Sequence, residues 1–331
     1  MRWLLGLCSP AACAGLSVAA WCESRGATTS CRVGQVPGRG YRGLLANSDL
    51  AAGDVALRIP RALATIEADD REEHWAGRLA SKLLRRMQSG DDYAASLPEP
   101  PDGLGRWDDD DHEALQNTTL EAEAASLFFW RHDQLATHGE GFEEDAFLDA
   151  LDLACSRALR CGDTLLLVPL LDMANHASEA EGGGFYECDG DHVNLRVGAR
   201  GAKAGEEVTL SYGDRESDHF LLHHGFVPAA PNRRDSATLD GGGEISWGML
   251  AAIDAAAIDA ARRTLDAMPT TYGEDLRLLA ADVGRTMAPR ARLALEYRVN
   301  KKMLLAAAAG ADPTAAAASP FERAFIGGFY E

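Results

Sequence analysis

Three groups of residues between Leu170 and Phe226 could do chemistry together. Leu170-Leu-Asp-Met-Ala-Asn-His176 ends in an Asn-His pair. Gly205-Glu-Glu-Val-Thr-Leu-Ser-Tyr-Gly213 ends in a tyrosine, and His223-His-Gly-Phe226 is a glycine turn carrying an aromatic ring. Asn175 and His176 offer donors and acceptors, Tyr212 a hydroxyl and Asp172 a carboxylate. Arg157, in Cys155-Ser-Arg157, offers a planar fork that can grip a carboxylate through two parallel hydrogen bonds. The same residues have plainer readings. Asn-His can be a turn before a loop, Tyr212 a strand-end aromatic in the core, Asp172 a capping carboxylate and Arg157 a solvated helix residue. A triad of Ser211 with His219, His223 or His224 would need a Gly-x-Ser-x-Gly elbow, which is missing. There is no Cys-x-x-Cys pair and no histidine cluster at zinc spacing.

These groups need elements to hold them. Residues 31–60 suit strands joined by tight turns: Cys31-Arg-Val-Gly-Gln-Val, the turn Pro37-Gly-Arg-Gly-Tyr-Arg-Gly43, then Asp54-Val-Ala-Leu-Arg-Ile-Pro60. Val55, Leu57 and Ile59 alternate as in a half-buried strand. From about 66 to 160 the period becomes helical. Trp75, Leu79, Leu83 and Leu84 recur at three- and four-residue steps, as do Leu115, Leu120, Ala124, Leu127 and Phe128, and Phe147, Leu151 and Cys155. Pro98-Glu-Pro-Pro101 interrupts this region. Strands return at Leu165-Leu-Leu-Val, Val193-Asn-Leu-Arg-Val and Val208-Thr-Leu-Ser-Tyr. After Pro228 the chain turns alanine-rich, with three helices expected between Ser246 and Ala309; Ala306 to Ala318 suits a frayed helix end or a linker.

Composition bounds the partners. The chain has 331 residues, 46% hydrophobic and 25% charged, enough to bury a core in one large domain or two ordinary ones. A net charge of -19 argues against nucleic acid as a partner. It fits solubility, and also a basic protein substrate. Seven cysteines, an odd number over this length, suggest reduced thiols rather than a disulfide framework. No stretch is apolar enough for a membrane span. Trp3 to Ala20 is apolar and small, with Val18 and Ala20 placed as at a cleavage site. Residues 1–20 therefore suit either a secretory or plastid leader or a helix packed on the domain.

The ordered motifs resemble a SET domain, the fold of S-adenosylmethionine-dependent protein methyltransferases. Arg42-Gly-Leu-Leu-Ala46 with Ala52-Gly-Asp-Val55 is similar to its opening signature, Leu170–His176 to its Asn-His strand and Gly205–Gly213 to the strand ending in its tyrosine. The helical insert, the helical tail and the absence of zinc cysteines resemble the branch of the plant Rubisco large-subunit lysine methyltransferase and the actin-histidine methyltransferase. Trp21 with Gly26-Ala27 is similar to that branch's opening. Glu274–Leu279 and Arg290–Lys302 are similar to its substrate-binding domain.

The resemblance implies an α+β protein: a SET β-core over 21–229 with a pseudoknot and a helical insertion at about 66–160, then an all-α substrate-binding domain over 230–331. It implies S-adenosylmethionine as cofactor. Gly40, Tyr41 and Arg42 would offer backbone to its methionine part, and Arg157 would bind its carboxylate. Asn175, His176, His224, Gly225 and Phe226 would surround its adenine. Tyr212 would be the methyl-transfer tyrosine. Asp172, Phe185, Tyr186 and His224 would face the acceptor, although the two aromatics equally suit the core. The sequence departs from the branch at Asp214-Arg-Glu216-Ser217 and at His224, where lysine enzymes often carry Tyr; Asn232-Arg-Arg-Asp235 is kept. The implied reaction is methylation of a protein side chain, lysine first and histidine second, with a non-catalytic binding module as the third reading. The expected partner is a protein substrate and the expected state a monomer. The expected compartment is plastid with a leader, otherwise cytoplasm or nucleus.

Overall fold

Short apolar runs separated by glycine turns make short strands, and short strands make several small sheets rather than one large one. The computed structural model describes residues 17–68, 74–282 and 286–311. Residues 1–16 of the expected leader and most of the 306–318 alanine tract lie outside the described residues. The chain divides into two compact units, one of residues 1–100 and 134–213, the other of residues 101–133 and 214–331. No described helix is long and apolar enough to cross a membrane.

Among its described residues the first unit holds ten strands: β1 (Thr28–Thr29), β2 (Cys31–Gln35), β3 (Arg42–Ala46), β4 (Val55–Pro60), β5 (Thr65–Ala68), β6 (Leu159–Cys161), β7 (Thr164–Leu167), β8 (Phe185–Cys188), β9 (His192–Arg196) and β10 (Glu207–Val208). They form sheets of order β1-β4-β9-β8, β10-β3-β2 and β5-β7-β6, their paired strands antiparallel. Leu57, Ile59, Val193 and Leu195 are fully buried where β4 meets β9. The alternation expected in β4 breaks at Val55, which is exposed. The register with β9 slips between Val55 and Leu57, so an extra residue turns Val55 outward. Helices Trp75–Gln88 and Glu144–Arg157 pack on one another, and Leu79, Leu83, Phe147, Leu151 and Ala154 on them are buried. Each fully buried Leu contributes about 1.5–3 kcal/mol.

Two expectations are corrected here. Cys161 at the end of β6 is joined to Cys188 at the end of β8, so two thiols expected to be reduced form a cross-link between two sheets. An odd cysteine count excluded full pairing, not one bridge. Cys22 and Cys31 are free thiols. The strand expected over Val208–Tyr212 ends at Val208. Beyond it, Leu210 makes parallel bridges to both His176 and Gly184.

The second unit is built around helix Pro289–Ala308, whose residues 299–306 are all buried, polar Asn300, Lys301 and Lys302 included, and which is therefore central. Proline at its first turn starts it without losing a ladder bond. Leu295, Val299 and Met303 pack on Tyr272, Leu276 and Leu279 of helix Tyr272–Ala281. Leu304 and Leu305 pack on Ala260 and Ala261 of helix Ala255–Ala267. These are the three expected helices. A hairpin not read from the sequence, β11 (Ser236–Thr238) with β12 (Glu244–Ser246), joins them through Ile245. Leu115, Leu120 and Ala124 are buried as their spacing suggests, but Phe128 is exposed.

Within this core Lys302 and Asp275 are both fully buried and lie 2.7 Å apart. Arg298 adds a second contact to Asp275 at 2.9 Å, and Thr270 and Gln116 accept from the Lys302 ammonium. Removing one charge would leave its partners buried and unbalanced. Asp275→Ala is expected to cost about 3–5 kcal/mol of unfolding free energy in urea titrations; a loss under about 1 kcal/mol would contradict this reading.

Candidate active site

The site begins with a turn that the backbone adopts at some cost. Leu170, fully buried, has φ of +68°, a conformation that costs a bulky residue on the order of 1–3 kcal/mol and persists only when its surroundings impose it. A 3-10 turn, Leu171–Met173, follows, where the resemblance suggested an extended strand. The turn buries Asp172 and delivers Asn175 and His176 to the chain that returns at Leu210.

That return is held on two sides. Leu210 N–H donates to Asn175 O at 2.9 Å, and Ala177 N–H donates to Leu210 O at 3.2 Å. On the other side Gly184 N–H donates to Thr209 O at 3.0 Å, and Ser211 N–H to Gly184 O at 2.8 Å. The later segment therefore passes between the two ends of the earlier loop 177–183. Tyr212 emerges with its N–H on His176 Nδ1 at 3.1 Å and its hydroxyl donating to Ala174 O at 2.7 Å. Since Nδ1 accepts, the His176 proton sits on Nε2. Burial holds the His176 imidazole below its usual value, and burial pushes the Tyr212 hydroxyl up to about 12. At neutral pH the ring is uncharged and the phenol keeps its proton.

Beneath the turn, Tyr93 from helix Asp92–Ser96 donates its hydroxyl to Asp172 Oδ2 at 2.5 Å. Arg157, last residue of its helix, donates through Nη1 to the Asp172 carbonyl. Arg42 in β3 reaches Ser96 O at 2.6 Å and Met173 Sδ at 3.6 Å. Two buried atoms here have no partner among the described residues, Asp172 Oδ1 and Arg157 Nε. An orphan acceptor and an orphan donor in one buried place suit a polar ligand group. Burial pushes the Asp172 carboxyl up to about 6, against the pull of Arg157, the Tyr93 hydrogen bond and Arg42. Burial, with Asp172 beside it, raises the Tyr93 hydroxyl well above its usual value.

No family model matches the chain. The chain is 24% identical over 246 residues to the actin-histidine N-methyltransferase of Xenopus tropicalis, a match covering 62% of this chain and 42% of that protein. It is 27% identical over 229 residues to the chloroplastic ribulose-1,5 bisphosphate carboxylase/oxygenase large subunit N-methyltransferase of Pisum sativum, covering 58% and 46%. The matches thus span less than half of either relative's length. Among solved structures, the SET domain of LSMT bound to methyllysine and AdoHcy superposes with a TM-score of 0.66 at 18% identity, covering 93% of this chain and 91% of that one. Rubisco LSMT bound to AdoMet gives 0.64 at 18% identity, covering 88% and 89%. The chain has the SET-domain fold. The resemblance read from the ordered motifs is to the same branch.

The first unit brings together Arg42, Arg157, Asp172, Asn175, His176 and Tyr212. Gly40 and Tyr41 lie in the turn before β3, which is closed by Val36 N–H on Tyr41 O at 3.0 Å. Nothing lies within 4 Å of where a Gly40 Cβ would be, which leaves room for close approach. Phe185 is exposed in β8. The Tyr186 hydroxyl donates to Arg160 O at 3.0 Å and accepts from Arg160 N–H at 3.2 Å, so it is engaged with β6. His224, Gly225 and Phe226 belong to the second unit. Gly225, at φ of +67°, ends helix Ser217–His224, and a Cβ there would lie 2.9 Å from the Asp102 backbone. The Phe226 ring lies 5.1 Å from that of Phe220. The departure at Ser217 has a local use: its N–H and hydroxyl donate to Asp235 at 2.7 and 2.9 Å, which anchors the helix start to the retained Asn232–Asp235 stretch.

Sequence reasoning missed Tyr93 and Glu207. Tyr93 stands in a short helix with no apolar period to mark it. Glu207 sat in plain view in Gly-Glu-Glu-Val, but a strand carboxylate has an ordinary solvated reading. The raised Asp172 value has a sign. A carboxyl whose folded value exceeds its unfolded one of about 3.9 stabilises fully below that pH and loses this as pH rises through about 6. Asp172→Asn should therefore flatten stability between about pH 4 and 6 by on the order of 2–3 kcal/mol. Urea midpoints across that range check it, and an unchanged slope would contradict the burial of an ionisable Asp172.

Proposed function

We propose that the protein transfers a methyl group from S-adenosylmethionine to a side-chain nitrogen of a protein, lysine before histidine. The observation that carries this is Tyr212, its protonated hydroxyl held on the Ala174 carbonyl beside an uncharged His176, at the end of a segment held between Asn175–Ala177 and Gly184. Support for the cofactor comes from the Arg157 guanidinium, whose buried Nε has no partner among the described residues and suits an amino-acid carboxylate. Solved structures of the same fold, bound to AdoMet and AdoHcy, point the same way.

When bound, the cofactor would supply an electrophilic methyl group on a sulfonium. The protein's work is to align a neutral nitrogen opposite the sulfur and to keep water out. Tyr212 is not the base, because its phenol stays protonated at neutral pH. Its oxygen and the nearby carbonyls offer weak CH···O contacts to the methyl group. Asp172 would face the acceptor side, its carboxylate aimed by Tyr93. A lysine acceptor must reach the site deprotonated, which its ordinary value of about 10.4 opposes; a dry channel and the nearby sulfonium charge would lower that cost. An imidazole acceptor needs no such step. Similarity to an actin-histidine enzyme supports that second reading.

Tyr212→Phe should lower methyl transfer by about a hundredfold, since small misplacements of the reacting atoms cost that much, while S-adenosylhomocysteine binding measured by calorimetry stays near wild type. Arg157→Ala should instead weaken that binding by about tenfold or more. Unchanged turnover in the first variant, or unchanged affinity in the second, would overturn the assigned roles.

A further inference from the structure

The Asn175 carboxamide is fixed by two acceptors on the same side. Its Nδ2 donates to the Arg42 carbonyl at 2.9 Å and to Glu207 Oε1 at 2.7 Å. An amide whose nitrogen faces two acceptors must turn its oxygen the other way. Arg42 O belongs to β3, and Glu207 stands in β10, paired to β3 with Glu207 opposite Leu45. Gly43 completes the arrangement: a Cβ there would fall 2.4 Å from Glu207 Oε1 and 2.7 Å from Asn175 Nδ2. Buried Gly43 is thus the clearance that lets the two side chains meet. Glu207 is half-buried. Burial raises its carboxyl above the usual range, with the Asn175 hydrogen bond and Arg39 opposing, and Glu207 in turn adds to the burial that raises the Tyr41 hydroxyl.

We infer that Glu207 is a positioning residue for the cofactor site, acting through Asn175: its carboxylate locks the carboxamide so that the amide oxygen is presented to a ligand N–H. The inference rests on the methyltransferase reading above. Without Glu207 the carboxamide keeps one weaker acceptor and can flip, and half of its orientations would then present N–H where an acceptor is needed. Glu207→Gln keeps an oxygen at the same reach and should restore the lock. Gly43→Ala should break it by displacing both partners while leaving each in the chain.

The test is a calorimetric titration of the full chain with S-adenosylhomocysteine. Glu207→Ala should weaken binding roughly tenfold, Glu207→Gln should recover most of the affinity, and Gly43→Ala should resemble Glu207→Ala. In an Asn175→Ala background, adding Glu207→Ala should cost less than about twofold, since coupled groups are not additive. Wild-type affinity in Glu207→Ala, or an equal loss in both backgrounds, would overturn the inference, the second by showing a merely structural role. A second readout needs no ligand. The Asn175 side-chain amide protons, assigned by their loss in Asn175→Ala, should shift and exchange faster in Glu207→Ala; unchanged signals would also overturn it. If wild type binds no S-adenosylhomocysteine while those amide signals still respond to Glu207, the methyltransferase reading fails and the cofactor role falls with it, leaving only the Glu207–Asn175 contact.

Discussion

The site depends on one arrangement of backbone hydrogen bonds, those that hold residues 209–211 between Asn175–Ala177 and Gly184. Buried backbone groups must be paired, and here a later segment pairs with both ends of an earlier loop. That double attachment leaves Tyr212 little freedom. Its N–H is taken by His176 and its hydroxyl by Ala174, both from the segment that flanks residues 209–211 on one side. The left-handed Leu170 is understandable in the same terms: the chain must bend sharply to place Asp172 inward and the Asn-His pair outward, and surrounding burial imposes that bend.

The electrostatics follow from the burial that this arrangement creates. His176 stays uncharged, and Tyr93 and Tyr212 keep their protons. Asp172 is held between a low-dielectric surrounding that favours its neutral form and two arginines that favour its charged one. Orientation therefore comes from fixed dipoles and shape rather than from a strong acid or base. This suits a reaction in which charge already present on a donor is dispersed.

Much of this was legible in the sequence because the informative residues cluster. Leu170–His176, Gly205–Gly213 and Gly225–Phe226 carry their types in a fixed order, and the change from strand to helical period near 66 and back near 164 marks an insert. What escaped has physical causes. Val208–Tyr212 looks like a strand because its residues favour one, but pairing on both sides by non-strand segments ends the regular ladder at Val208. Tyr93 could not be connected with Asp172 because only folding brings the insert to the turn. Cys161 and Cys188 stand 27 residues apart and meet only because folding brings the ends of β6 and β8, strands of two different sheets, together. The β11–β12 hairpin lies around Gly241–Gly243, each at positive φ, a glycine signal that marks a turn without revealing what it joins.

The central claim is a reaction, and its products can be weighed. The full chain would be incubated with methyl-labelled S-adenosylmethionine and a protein extract, and the labelled peptides sequenced by mass spectrometry. The account predicts label on a side-chain nitrogen of one or a few proteins, at lysine or, in the second reading, histidine. Label on no protein, with the cofactor recovered unchanged, would contradict it.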